Sequence, residues 1–267
     1  MADFFIYFGQ VMLYTIGALI GSGILIYIID FFYTALICES IGYKYLILSS
    51  YIGTPVHELG HALMCLIFGH KIDDIKFYNK NDEDKTLGYV KHSYNSKNFY
   101  QQVGNFFIGL GPIFSGFLVI TLVLVLFFRE PTFAFFDSSF QKILSGEPLL
   151  DIVLNSFSLI STLLFSETHI AIKIISLIII LSVSLHVNLS LQDIKNSIIG
   201  FMFYLIVGLT FSAVTFFIGE GLCNLVLEYL LKFFLISCSL FSIIIVFALI
   251  NLAIAIVMFI LKKFFER

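Results

Sequence analysis

The chain of 267 residues has no tryptophan, four prolines, four cysteines and only 12% charged residues. The shortage of charge excludes most. A soluble domain carries about 25% charged residues, and a chain this poor in them cannot coat a surface that faces water. Cys38, Cys65, Cys223 and Cys238 are scattered without a CxxC pair, which argues against a disulfide framework or a thiolate metal site. No basic run is present and the formal net charge is −3, so no nucleic acid partner is expected. With tryptophan missing, aromatic belts at the membrane–water interfaces fall to the 13 tyrosines.

What is present is apolar length. Hydrophobic residues make up 59% of the chain and the mean hydropathy is +1.00. Several runs reach the ~20 residues needed to cross a hydrocarbon layer of about 30 Å. These features predict an all-α polytopic membrane protein, a single integral domain over 1–267, with the lipid bilayer as its surroundings. Six spans are expected, over 4–32, 45–69, 104–128, 170–187, 198–218 and 233–261, the first and last long enough to tilt or to extend beyond the bilayer. The N-terminal run lacks a basic leader and reads as a retained span, not a cleaved signal.

Segment 70–103 differs in kind, with six lysines and five acids. It is expected to be a soluble loop or small β-hairpin, with 87–94 rich in strand formers. Pro131 and Pro148 interrupt 129–169, where 149–165 is amphipathic enough to lie in the interface. With six spans, ten of the 15 lysines and arginines fall on the side of the two termini and of 70–103. That bias places both termini in the cytoplasm of a multi-pass cell-membrane protein. Richness in Ile, Phe, Lys and Asn points to a bacterial source. Oligomeric state is not legible.

Chemistry concentrates at Thr54-Pro-Val-His57-Glu58-Leu-Gly-His61. Residues i and i+4 share a helix face, so His57 and His61 can both address one zinc ion. Glu58 is then placed to act as general base on a water. The pattern should occur by chance about 0.004 times in such a chain. Each ionisable group within an apolar span costs on the order of 2.5–3.5 kcal/mol, so two imidazoles and a carboxylate in five residues call for a compensating ion. The alternative is a hydrogen-bonded His–Glu cluster that packs helices.

A catalytic zinc needs a third protein ligand and an open position. Asp193, His186, His169, Glu167, Glu220 and Glu39 are the candidates near a span. His61 lies about 12 Å from the helix end that faces 70–103, at 1.5 Å per residue. Asp193, in the connection 188–197, emerges on that same side, whereas 157–169 and Glu220 emerge on the other. Asp193 is therefore the expected ligand, with His186 a candidate to support the ligands or to pack helices. Ser190-Leu-Gln-Asp193 also has capping-box spacing, which gives Asp193 a purely structural alternative.

Gly53-Thr-Pro-Val-His57-Glu58-Leu-Gly-His61-Ala-Leu resembles the zinc-binding helix of the site-2 protease family of intramembrane metalloproteases. Gly109-Leu-Gly111-Pro112-Ile is similar to the Gly-Pro-rich segment that follows that helix, and His186-Val-Asn-Leu-Ser190-Leu-Gln-Asp193-Ile to the segment giving the family its aspartate ligand. The resemblance covers about 50–128 and 180–200. It implies one Zn2+ per chain, and a membrane-protein or peptide substrate cut near the cytoplasmic face. The family's Asn-Pro-x-x-Asp-Gly pattern and its soluble PDZ-like insertion are absent.

Softer signals remain. Gly111 and Pro112, with Gly109 and Gly116, either handle substrate or loosen and pack the third span. Asn105 either binds substrate backbone or starts a helix. His70 and His92 are read as exposed and unrelated to the site. A zinc-binding scaffold or chaperone without proteolysis is a second functional class, and a metal or proton transporter a third, although no internal repeat is present.

Overall fold

The computed structural model describes residues 2–79 and 87–266. Lys80, Lys85 and Arg267, which count toward the expected orientation, lie outside the described residues. The elements are α1 (Ala2–Ser40), α2 (Tyr43–Ile67), β1 (Lys71–Lys76), β2 (Tyr89–Ser93), α3 (Phe99–Gly109), α4 (Gly111–Phe127), α5 (Arg129–Leu144), α6 (Leu149–Phe165), α7 (Ile170–Leu185), α8 (Leu191–Ile218) and α9 (Glu220–Phe265). The all-α class holds. Three helices, α1, α8 and α9, are long and apolar enough to cross a membrane, or up to four if α3 and α4 count as one span bent by 57°. Five of the six expected spans each fall on one helix and 104–128 falls on the bent pair α3–α4, but six crossings are not thereby shown. Segment 149–165 is a separate shorter helix, α6.

The frame of the bundle is a pair of long helices. At about 1.5 Å per residue, the 39 residues of α1 extend ~58 Å and the 46 of α9 ~69 Å. They run side by side in the same direction. Tyr7 and Val11 cluster with Cys223, Tyr14 meets Phe234, Tyr33 and Ile37 cluster with Ala255, and Lys263 pairs with Glu39. Both termini on one face would need these first and last helices to run antiparallel, and they do not. Helix α8 returns antiparallel to α1, with Tyr7 bonded to Thr215 at one end and Asp30 to Asn188 just beyond the other.

Lipid, not water, explains the surface. Only 17% of the most apolar window of α8 is buried, and Ile194, Ile198, Met202 and Ile206 stand exposed along it. A patch of this extent marks an apolar environment. In that environment helices associate through close packing of small residues. Gly60 of α2 lies directly against Gly111 of α4: a Cβ at Gly111 would stand 2.5 Å from the Gly60 carbonyl oxygen and 2.9 Å from the His61 nitrogen. Because both obstacles are backbone, Gly111→Ala is expected to destabilise the fold by about 1–3 kcal/mol. Thermal unfolding in detergent will measure this against Gly21→Ala, where a Cβ meets nothing within 4 Å.

Within 70–103, the described residues 70–79 and 87–103 include a paired hairpin and the start of α3. Strands β1 and β2 pair antiparallel, Ile72 with His92 and Ile75 with Val90, with a bulge at Asp73. The hairpin folds back along α2. Tyr78 stacks on Tyr51, and Gly88 reaches Glu58 so closely that a Cβ there would be 2.8 Å from Glu58 Cγ. It thereby becomes the lid of the cavity described next.

Candidate metal centre

Three breaks in helices converge on the middle of the bundle: the α3–α4 bend at Leu110, the end of α7 at His186 and the start of α8 at Ser190. Each leaves backbone groups without helical partners, and these groups position the site. Pro112 has no N–H, so the Ile108 carbonyl one turn earlier has no helical donor from it. That carbonyl accepts instead from His61 Nδ1 at 2.7 Å. The His186 carbonyl, just past the end of α7, accepts from His57 Nδ1 at 2.7 Å. A carbonyl can only accept, so both rings carry their proton on Nδ1 and turn a bare Nε2 lone pair inward.

Those lone pairs face each other and a carboxylate. His57 Nε2 and His61 Nε2 are 3.2 Å apart, His61 Nε2 is 3.2 Å from Asp193 Oδ1, and His57 Nε2 is 3.7 Å from Asp193 Oδ2. With both rings neutral, three acceptors this close repel unless a proton or a metal cation sits between them. Zinc bonds of 2.0–2.1 Å in a tetrahedron imply ligand separations of about 3.3–3.4 Å, close to those found. The His57, His61 and Asp193 group can therefore hold a metal ion. Asp193 lies in the first turn of α8, within the helix and not in a connection. Its Oδ2 accepts from the Ser190 N–H at 2.8 Å while the Ser190 hydroxyl accepts from the Asp193 N–H at 3.1 Å. The capping box and the ligand position coexist in one side chain.

A cavity of about 250 Å³ opens beside the cluster, lined by Glu58, Asn105, Gly109, Asp193, His92 and the start of β2. Glu58 is 6% exposed and occupies the cavity wall next to the metal group, not the group itself. Asn105 is buried on the same wall. Gly109 permits α3 to cross α8: a Cβ there would overlap Ser197 Oγ and lie 2.7 Å from the Asp193 carbonyl oxygen. Gly111 and Pro112 act through helix contact and the freed Ile108 carbonyl. His186 turns its ring away; Nδ1 donates to Ser182 O and the ring packs on Gly53, so its backbone serves the site.

The sequence reading missed two features. Asp30, in the apolar run of α1, accepts from Asn188 Nδ2 at 2.6 Å and so ties the 186–190 connection to α1; a carboxylate in such a run was the available signal. His70 and His92 are neither exposed nor unrelated. His70 is 4% exposed, and His92 bonds to it and lines the cavity. Burial lowers the basicity of both rings below the ordinary 6.5, and the neighbouring His70 and His61 depress His92 further. Because the folded state disfavours the charged rings, their stabilising pairing is complete above pH 6.5 and is lost as pH falls below it. Amide exchange in β1 and β2 should accelerate at pH 5 relative to pH 7.5.

The bundle and its cluster define an α-helical membrane protein with a candidate metal centre at its helix breaks. Comparison with protein-family models, with curated proteins and with solved structures found no match.

Proposed function

We propose that this chain is a zinc-dependent intramembrane endopeptidase. The observation that carries the reading is the convergence of two outward-committed imidazoles and one carboxylate on a single point, with a fourth ionisable group, Glu58, in the adjoining cavity wall. A metal-binding scaffold has use for the first three groups and none for the fourth. Nitrogen and carboxylate ligands of this kind suit zinc.

His57, His61 and Asp193 would hold the ion and leave a position open toward the cavity. Zinc held there supplies Lewis acidity, which acidifies water and polarises a peptide carbonyl. Glu58 takes the attacking water's proton and returns it to the departing amine nitrogen. Asn105 offers an amide to the substrate backbone. The substrate is an unwound stretch of another protein's membrane helix, because helical hydrogen bonding shields the carbonyl from attack. The resemblance to site-2 proteases, not the distribution of lysine and arginine, supports a cut toward the cytoplasmic face.

The test is the metal content of purified protein together with cleavage of a membrane-anchored peptide. One zinc per chain and cleavage that chelation abolishes are expected; a metal-free wild type refutes the reading.

A further inference from the structure

The mechanism above leaves the paired histidines of the hairpin without a task. Their hydrogen bonds fix which atom each ring presents. His70 Nε2 lies 2.9 Å from the Gln101 carbonyl oxygen and must donate to it. A neutral His70 then has only a lone pair on Nδ1. His92 Nδ1, 3.1 Å away, must therefore be the donor of that pair. Tyr94 stacks on His70 at 4.9 Å and holds its ring in place. With its single proton committed to His70, His92 is left with an unprotonated Nε2, and His92 is the ring that lines the cavity beside Glu58, Asp193 and Asn105.

We propose that His92 is a substrate-binding residue whose Nε2 accepts a hydrogen bond from a backbone N–H of the extended peptide beside the scissile bond. This inference rests on the peptidase reading. The opposite tautomer would present an N–H and repel that same peptide group. Fixing the tautomer is thus the work of His70 and the Gln101 carbonyl, which makes His70 a positioning residue. The carbonyls of a bound peptide find the metal and the Asn105 amide, while its N–H groups need a neutral acceptor. Glu58 and Asp193 are occupied by proton transfer and by the ion.

Two probes separate this role from the metal site. Acetohydroxamate chelates zinc with almost no peptide attached; a peptidyl hydroxamate chelates it and also carries backbone N–H groups. In zinc-loaded protein, His92→Phe should weaken the peptidyl hydroxamate about tenfold and leave acetohydroxamate unchanged, the loss expected for one hydrogen bond. His92→Gln, which restores an acceptor, should recover most of the loss, and His70→Phe should reproduce it in part. Nitrogen-15 spectra of the histidines should show His92 protonated on Nδ1 in wild type. Equal effects on both probes, no effect on either, or a proton on His92 Nε2 overturns the assignment. A wild-type protein that holds zinc and binds acetohydroxamate keeps the metal centre whatever His92 does. One that binds neither overturns the peptidase reading and the role of His92 with it.

Discussion

Glu58→Gln is expected to bind zinc with wild-type stoichiometry and to cleave a membrane-anchored peptide about 10²–10⁴-fold more slowly, the range of a lost general base. The substitution keeps shape and removes only the proton acceptor. Metal content should be unaffected because the three converging ligand atoms belong to His57, His61 and Asp193, and Glu58 stands in the cavity wall beside them. The fit is close, since Gly88 leaves no room for a larger neighbour over Glu58 Cγ, which is why Gln is the informative change. Full cleavage by the variant removes Glu58 from the chemistry. Zinc binding by both proteins with turnover by neither favours a scaffold.

The second large effect belongs to Asp193, where two functions share one carboxylate. Asp193→Ala removes a ligand and also breaks the capping box with Ser190. Asp193→Asn keeps an oxygen to accept from the Ser190 N–H but offers zinc a neutral and weak donor. Both should lose zinc to a mild chelator at least about 100-fold more readily than wild type, a larger effect than loss of a supporting group alone. Only Asp193→Ala should also lose about 1 kcal/mol of stability, from the hydrogen bond that its carboxylate accepts from the Ser190 N–H. Zinc retention by Asp193→Ala at wild-type strength would reduce Asp193 to a cap and leave the cluster without its third ligand.

The parts legible in the sequence were those set by short spacing. His57 and His61 are one turn apart on one helix, and that turn is enough to bring their Nε2 atoms to 3.2 Å. Asp193 was reachable through an argument about depth and side, and its capping-box spacing with Ser190 is realised. Contacts between distant segments were not legible. Nothing at His70 or His92 announces that the hairpin folds back along α2, because that course depends on the Tyr51–Tyr78 stack and on the space left at Gly88. Charge in 70–103 suggested water, and β1 is indeed mostly exposed, yet its partner β2 lines the cavity. The parallel course of α1 and α9 was hidden for a similar reason: apolar runs report length and not direction.

Pro112 shows how a residue outside the metal cluster can govern it. The break at Leu110 leaves the Ile108 oxygen open to a donor from outside its helix, and Pro112, in the first turn of α4, brings no hydrogen to compete for it. The His61 ring meets that oxygen with Nδ1, so in the neutral ring the nitrogen turned toward Asp193 is the bare one. A bend in one helix thus selects the tautomer of a ring carried by another.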